Sequence, residues 1–373
     1  MSTESQVLHV HSSAGLYGAE YMMLGLVPAL RRLGIESRLL CLDNPHLDGA
    51  PLYDRAKALG VPAQLIPCRG RFDLATIKAL RAAIAAAPSI LHVHDYKSAL
   101  HAWLARGRGR APVVTTLHGR TATSLMLKVY ESIETRLMRR FARVCIVAEG
   151  MRRPLIDAGI RAERISLIEN GIDTDRFGPA AAAWTKASLD LPPDAQVFGG
   201  VMRLSVEKNP LGLIEAFAQV AARLPRAFLV IAGDGPQRAA LLERAAQLGM
   251  GARVRLTGAR EDIEGLYALL DVFVLPSLTE GLPLALLEAM ASERAIVATA
   301  VGQIPTVLAG LDAELVRPGD HAALAGAMIA AATRTGTGGL RARVVERYSV
   351  ARMAQAYARV YRSLGAGDDR AAA

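Results

Sequence analysis

Apolar and polar positions along this chain fall into two alternating textures. Short apolar or β-branched runs, "VLHV", "ILHVH", "VVTTL", "VCIVA" and "ISLIEN", punctuate the first half. Between them lie longer stretches whose apolar residues return every three or four positions, such as Ala19–Leu33 and Leu125–Phe141. Uninterrupted apolar runs are typical of strands covered on both faces, and their alternation with helices predicts a parallel, doubly wound sheet. After the proline- and alanine-rich stretch "FGPAAAAWTKASLDLPPDAQ" the same alternation restarts with "VFGGVM", "AFLVIAG", "RVRLTG", "DVFVLP" and "AIVATA". The pattern therefore predicts two Rossmann-like α/β domains joined near residues 175–195, taken here as 1–175 and 176–348. A last helix is expected over 349–365, and the polar tail 366–373 is expected to be disordered.

Composition agrees with two domains, because 373 residues exceed one ordinary core and 51% hydrophobic with 21% charged residues is a globular balance. Cys41, Cys68 and Cys145 are odd in number and lack C-x-x-C spacing, which predicts reduced thiols, no zinc framework and a cytoplasmic location. The start "MSTESQVLHVHSS" has no signal-peptide pattern, and no stretch has the length and apolarity of a spanning helix. The expectation is a chain that is soluble or lies on the inner face of a membrane.

Charge changes the picture by its placement. Residues 1–180 hold 24 Lys and Arg against 16 Asp and Glu, whereas the remainder holds 20 against 19. Such a basic half suits an anionic surface or a charged soluble substrate. Nucleic acid is excluded as a partner, since only 5% of the chain is aromatic and its cations lack interleaved aromatic residues.

Open α/β sheets bind ligands beyond the carboxyl ends of their strands, so the segments following each strand carry the candidate chemistry. After the first strand, Gly15 and Gly18 in "SSAGLYGAE" leave room for backbone amides to approach a phosphate or sugar at the opening of a helix. After "VFGGVM", Arg203 and Lys208 are spaced as a diphosphate clamp, with a guanidinium fork and a mobile ammonium. "GDGP" at 233–236 lacks a third glycine and reads as a tight turn. In "LPSLTEGLPLALLEAM", Gly281 and Pro283 break the helix, leaving Glu280 on the entering loop and Glu288 inside the helix. The two carboxylates read as separate grips on one elongated ligand, and the amides of Gly281 and Leu282 are expected at a helix N-terminus, where a phosphate is favoured.

Together "RLSVEKN", "AGDGP", "LTG", the E-x7-E element "EGLPLALLE" followed by "AMA", and "LVRPGD" resemble the second half of retaining glycosyltransferases of the GT4 family. "GLYGAE", "LHVHDY", "TLHG" and "IENGID" add the first half, so the resemblance covers roughly residues 6–365. It implies a GT-B fold, two Rossmann-like domains facing each other across a cleft, with the last helix crossing back to the first domain. It also implies that a nucleotide sugar is the substrate, that no cofactor or metal is needed, and that the acceptor binds the first domain. By the same resemblance Glu280 contacts the donor sugar, Glu288 the ribose, Arg203 and Lys208 the diphosphate, and His118 the sugar and phosphate. Gly15 and Gly18 match the family's N-terminal glycine loop, Gly258 and Arg260 are assigned to base or phosphate, and His94 to the acceptor side. UDP is favoured over GDP, and the acceptor hydroxyl is expected on a glycan or a lipid-linked sugar. The competing functions are a GT-B epimerase, a phosphorylase-like enzyme, and a sugar-binding relic without catalysis.

The chain departs from the family where "VGQIPTVL" puts Gln303 and Thr306 in place of a glycine and a glutamate. Two other patterns compete for attention. "DTD" at 173–175 imitates the metal-binding D-x-D of a different glycosyltransferase fold, and "HVH" at 9–11 and 92–94 places histidines two apart on a strand, as a zinc site would. Finally, a helix over Leu125–Phe141 projects Leu125, Val129, Tyr130, Ile133 and Leu137 to one side and Lys128, Ser132, Arg136 and Arg139 to the other. That basic side, with Arg106, Arg108 and Arg110, is the sequence's candidate for contact with an anionic membrane.

Overall fold

In the computed structural model the described residues are 6–13, 15–43, 49–70, 72–87, 89–107, 111–118, 125–179, 184–334, 336 and 338–365, with side chains of 125–129 excluded. Arg108, Arg110, the Lys128 side chain and the tail 366–373 lie outside them. The chain divides into two compact units, one built from residues 1–171 with 350–373 and the other from Ile172–Ser349.

The first unit runs β1 (Gln6–His11), α1 (Gly18–Arg32), β2 (Ser37–Leu42), α2 (Pro51–Ala58), β3 (Ala63–Ile66), α3 (Leu74–Ala85), β4 (Ser89–Val93), α4 (Tyr96–Ala105), β5 (Val113–Leu117), α5 (Leu125–Met138), β6 (Arg143–Ile146), α6 (Arg152–Asp157) and β7 (Ile165–Leu167). Its seven strands are parallel in the order β3-β2-β1-β4-β5-β6-β7, so the winding reverses between β1 and β4. Alternation along β1 sends Leu8 and Val10 into the core under α3, α4 and α5, and Val7 into the opposite core with α1.

The second unit runs β8 (Gln196–Val201), α7 (Pro210–Arg223), β9 (Ala227–Ala232), α8 (Arg238–Gln247), β10 (Val254–Gly258), α9 (Ile263–Leu269), β11 (Val272–Leu275), α10 (Leu284–Ala291), β12 (Ala295–Thr299), α11 (Ile304–Leu308), β13 (Glu314–Val316), α12 (His321–Ala331) and α13 (Leu340–Arg347). Six parallel strands lie in the order β10-β9-β8-β11-β12-β13, reversing between β8 and β11. The expected pair of doubly wound parallel sheets is therefore present. The proline- and alanine-rich stretch read as a join is part of this unit, with Phe177, Leu191 and Ala195 buried in its core.

A final helix, α14 (Val350–Arg362), belongs to the first unit and packs along α1. Met353, Ala354, Tyr357, Ala358 and Tyr361 join Met22, Met23, Leu26 and Leu30 in one core, and Gly25 admits Val350 at a distance where an added Cβ would sit 3.2 Å from its methyl. α5 differs from its expected projection. Ile133 is 37% exposed and Glu134 takes a buried position, so the helix is rotated relative to the apolar stripe. No described helix is long and apolar enough to cross a membrane.

Candidate active site

Both sheets carry their chemistry where the winding reverses, at the carboxyl ends of the central strands. In the second unit the loop after β8 turns through Arg203, Ser205 and Lys208 to Asn209, whose left-handed backbone (φ 53°) lets its side chain cap α7 by accepting from the Gly212 amide at 3.2 Å. The loop after β11 brings Ser277 and Glu280 to the same place. Lys208 Nζ lies 2.6 Å from Glu280 Oε1, and Ser277 Oγ donates to the same oxygen at 2.7 Å. Glu280 is thus held by two donors with a side chain only 6% exposed, while Lys208 keeps 25% of its own exposed. Leu278 N donates to Glu207 O at 2.8 Å and ties the two loops together. Arg203 is exposed, and its charge helps hold the Glu207 carboxyl below the usual range, after the hydrogen bond from Ser205.

Two glycines explain why these loops keep their shape. A Cβ on Gly233 (φ 135°) would fall 1.8 Å from Met202 O, so "GDGP" lies flat against the Met202–Leu204 backbone that presents Arg203. Leu204 N donates to Asp234 O and Gln237 N to Leu204 O, both at 2.9 Å, which locks that contact. Gly302 (φ 55°) plays the same part for Glu280, since a Cβ there would meet Glu280 O at 2.1 Å, and Gln303 N donates to Gly281 O at 3.0 Å. The turn read as mere punctuation and the departing "VGQ" segment are therefore the supports of Arg203 and Glu280.

Glu280 is on the loop and Glu288 inside α10, as the Gly281 and Pro283 break requires. Gly281 and Leu282 are the two residues that lead into the N-terminus of α10. Pro283 is the N-cap of α10, so the first free amides of that helix begin at Leu284, and Leu282 is anchored in the core at 6% exposure. Glu288 is 8% exposed and accepts a hydrogen bond from Tyr267 Oη at 2.7 Å. Burial pushes its carboxyl up to about 7, with Glu264 adding to the rise, while Tyr267 and the charge of Arg176 pull the other way. Gly258 adopts the left-handed conformation (φ 74°) at the end of β10. Arg260 forms a separate cluster, bonded to Asp262 at 2.8 and 2.7 Å and set over the Trp184 ring, whose Nε1 also donates to Asp262. In "DTD", Asp173 Oδ1 accepts from the amides of Asp175 and Arg176, a local turn cap.

The first unit gathers histidines. His9, His11, His92, His94 and His118 occupy alternate positions on β1, β4 and β5 or just beyond, and the register pairs His9 with His92 and Val93 with Thr115. Period-two alternation in three neighbouring parallel strands therefore puts all five on one face. His11 sits between carboxylates, with Nε2 2.8 Å from Glu20 Oε1 and Nδ1 3.0 Å from Asp95 Oδ2, the latter an ion pair whose angle falls short of a hydrogen bond. Burial alone would lower its pKa, but Asp95 and Glu20 outweigh it and raise it to about 10, so this imidazole is a buried cation. The same carboxylates hold the glycine loop: Asp95 Oδ2 accepts from Ser12 N at 2.8 Å, Glu20 Oε1 from Ser13 Oγ at 3.0 Å, and Glu20 Oε2 from Tyr17 N at 3.0 Å. Gly15 follows in a positive-φ conformation and Gly18 is the first residue of α1.

The other four histidines are neutral at pH 7, because burial lowers the pKa of each, to about 3 for His9 and about 4 for His118. They form a ladder, with His9 Nδ1 3.1 Å from His94 Nε2 and His94 Nδ1 3.2 Å from His118 Nε2. His92 is bonded through Nε2 to Thr116 Oγ1 at 2.8 Å and through Nδ1 to Tyr361 Oη at 2.6 Å. Ligand atoms of His9, His92 and His94 lie within 4.8 Å of one another, yet a metal would have to displace the hydroxyls on His92 and the imidazoles on His94. The donor set suits a hydrogen-bond ladder better than a cation. The family resemblance points to His118 and the strand-end position to His94, while "HVH" singles out His11 only as a zinc pattern; neither Glu20, two residues beyond Gly18, nor Asp95, directly after the second "HVH", is picked out as its charge partner.

Residues 16–176 match the family described as Glycosyltransferase Family 4, and residues 195–334 match Glycosyl transferases group 1. The putative glycosyltransferase EpsF of Bacillus subtilis (strain 168) is 31% identical over 303 residues, 78% of each chain. This chain belongs to glycosyltransferase family 4. Another family 4 relative is the UDP-Gal:alpha-D-GlcNAc-diphosphoundecaprenol alpha-1,3-galactosyltransferase of Escherichia coli, 29% identical over 313 residues, 78% of this chain and 79% of that one. Anabaena Alr3699/HepE, solved in complex with UDP and glucose, superposes with a TM-score of 0.81 at 21% identity over 96% of this chain and 100% of its own. That likeness places the family 4 chain in the GT-B fold.

Proposed function

We propose that the chain is a retaining hexosyltransferase, moving a sugar from a nucleoside diphosphate sugar, UDP favoured, to a hydroxyl of a glycan or lipid-linked acceptor, and forming an α-glycosidic bond without a metal ion. The observation that carries the reading is the meeting of Lys208, Ser277 and Glu280 where the second sheet reverses. An ammonium has three N–H donors. One is used on Glu280, which leaves two for oxygens of a donor diphosphate, and Arg203 adds a second cation in place of Mg²⁺. Glu280, oriented by Lys208 and Ser277, accepts from hydroxyls of the donor sugar, and Glu288 from those of the ribose. The relatives support the substrate classes: HepE is solved in complex with UDP and glucose, and the Escherichia coli enzyme is a UDP-Gal:alpha-D-GlcNAc-diphosphoundecaprenol alpha-1,3-galactosyltransferase.

In this reading the bond from the anomeric carbon to the diphosphate oxygen breaks as the acceptor oxygen bonds the same face. The acceptor proton passes to the departing diphosphate, so no protein nucleophile is needed and configuration is retained. The first unit receives the acceptor, with His94 and His118 as neutral hydrogen-bonding groups and the Gly15–Gly18 loop held by the Glu20 and Asp95 carboxylates. Incubation with UDP-, GDP- and ADP-sugars and a diphospholipid-linked sugar analogue tests the proposal. The expected result is UDP release coupled to an α-linked product, unchanged by EDTA, and lowered by about 10²–10³ in kcat for Lys208→Ala, the usual effect of losing one charge-stabilising donor. Strict dependence on Mn²⁺ or Mg²⁺, an inverted product, or free sugar without glycoside would overturn it.

A further inference from the structure

The basic excess of the first half has one address. Residues 55–112 contain ten Lys and Arg and two acids, Asp73 and Asp95, which accounts for the whole surplus of 24 over 16 in residues 1–180. Asp95 is turned inward to His11, whereas Asp73 stays partly exposed with both carboxylate oxygens engaged by neighbouring backbone amides. Asp73 caps α3, accepting from Ala75 N and Arg69 N at 2.8 Å each, and Asp95 is paired with His11 and caps α4. The outward charge of this region is therefore positive.

Exposed hydrophobic side chains gather in the same region. Of the seven large ones exposed among the described residues of the first unit, four are Leu59, Leu65, Phe72 and Leu74. Phe72 is 59% and Leu74 70% exposed, on either side of the Asp73 cap. The outward side of α3 continues with Ala75, Lys78, Arg81, Ala82 and Ala85, while Thr76, Ile77, Leu80 and Ala83 face the core. No ion pair involves Arg69, Lys78 or Arg81 among the described residues, although Arg81 Nη2 donates to Leu104 O at 3.2 Å. An apolar tip rimmed by unneutralised cations on a face of small residues is the chemistry of an interfacial helix.

We infer that this α3 face docks on the anionic surface of a lipid bilayer, Phe72 and Leu74 entering the headgroup boundary and Arg69, Lys78 and Arg81 meeting lipid phosphates. A protein partner is the less fitting occupant, since Arg69, Lys78 and Arg81 outnumber the one acid among them, Asp73, whose oxygens are engaged by backbone amides, and this cationic rim matches a bilayer of acidic lipids. Among the described residues α5 offers one large exposed hydrophobic, Ile133, whereas Phe72 and Leu74 stand together at the start of α3, which places the surface there. The inference rests on the proposed lipid-linked acceptor only for its purpose, and its test needs neither donor nor acceptor.

The purified full chain is sedimented with phosphatidylglycerol–phosphatidylcholine vesicles and with pure phosphatidylcholine vesicles across a salt series. Binding is expected to the anionic vesicles alone and to weaken steeply as salt shortens electrostatic reach to about 8 Å. Lys78→Ala with Arg81→Ala should weaken it roughly thirtyfold, the order set by losing two cations at such a surface. Phe72→Ser with Leu74→Ser should abolish the part that survives physiological salt, and a Phe72→Trp variant should shift its emission to the blue on adding vesicles. Transfer to a water-soluble acceptor analogue should be unchanged in all of these, whereas loss of transfer with intact vesicle binding would count against the proposed function alone. Failure to bind anionic vesicles at low salt overturns the inference. So does loss of binding through Arg136→Glu with Arg139→Glu while the α3 variants bind normally, or self-association that Phe72→Ser abolishes without any vesicle binding.

Discussion

Glu288 shows how a single side chain can set function against stability. Its carboxyl, ordinarily near 4.5, is raised by burial to about 7, so between those values the folded chain holds a proton that the unfolded chain has released. Stability contributed at this site is therefore greatest below pH 4.5 and falls as pH rises to 7, by about 3 kcal/mol at one unit per 1.36 kcal/mol. Glu288→Gln keeps an acceptor for Tyr267 and removes the ionisation. It is expected to raise the unfolding midpoint at pH 8 and leave it nearly unchanged at pH 4, while transfer drops on the order of 10²-fold; denaturant titrations at the two pH values check the first part and an assay the second. The Tyr267 hydroxyl lowers the carboxyl's pKa by bonding its charged form. Tyr267→Phe should therefore move the acid limb of the kcat/KM profile to higher pH, and a limb that stays in place would detach Glu288 from the reaction.

At the scale of elements, α14 closes the first sheet with polar as well as apolar contacts. Tyr361 bonds His92 Nδ1, and Tyr357 bonds Thr116 at 2.8 Å; Thr116 also holds His92 Nε2, so His92 Nδ1 is the group that depends on the helix for its partner. Deleting residues from 350 onward would expose Met22, Met23, Leu26 and Leu30 and strip both hydroxyls. A buried polar group left unpaired costs about 1–3 kcal/mol on top of the lost apolar burial. Truncation after Ser349 is expected to leave the first unit unable to hold its fold. Hydrogen exchange should show β1, β4 and β5 losing protection while β8, β9 and β11 keep theirs, whereas uniform protection would assign α14 a lesser part. Tyr361→Phe isolates the polar share and should lower the unit's stability by about 1–2 kcal/mol, measurable by chemical unfolding.

At the scale of the whole molecule, the two parallel sheets were legible because buried strands such as "VLHV" and "AFLVIAG" are unbroken apolar runs between amphipathic helices. β2, β3 and β13 were not singled out. β3 is a short edge strand with Gln64 and Leu65 exposed, and β13 is three residues long, so neither is an apolar run. Lys208 and Glu280 could be picked out by type and place, but not their 2.6 Å contact, which depends on two loops meeting across the reversal. The supports Gly233 and Gly302 were hidden for the same reason, since each is required by a backbone distant in sequence. His11 as a cation was illegible because its charge comes from Glu20 and Asp95 together, on different elements. Connectivity adds a consequence in time. The first unit is interrupted, with α14 following all of Ile172–Ser349, whereas the second is one continuous stretch. A ribosome adding about 5–20 residues per second finishes the second unit while the first still lacks its closing helix, an interval of roughly 10–40 s. The half made first is thus completed last, and during that interval the apolar side of α1 is open to whatever the nascent chain meets.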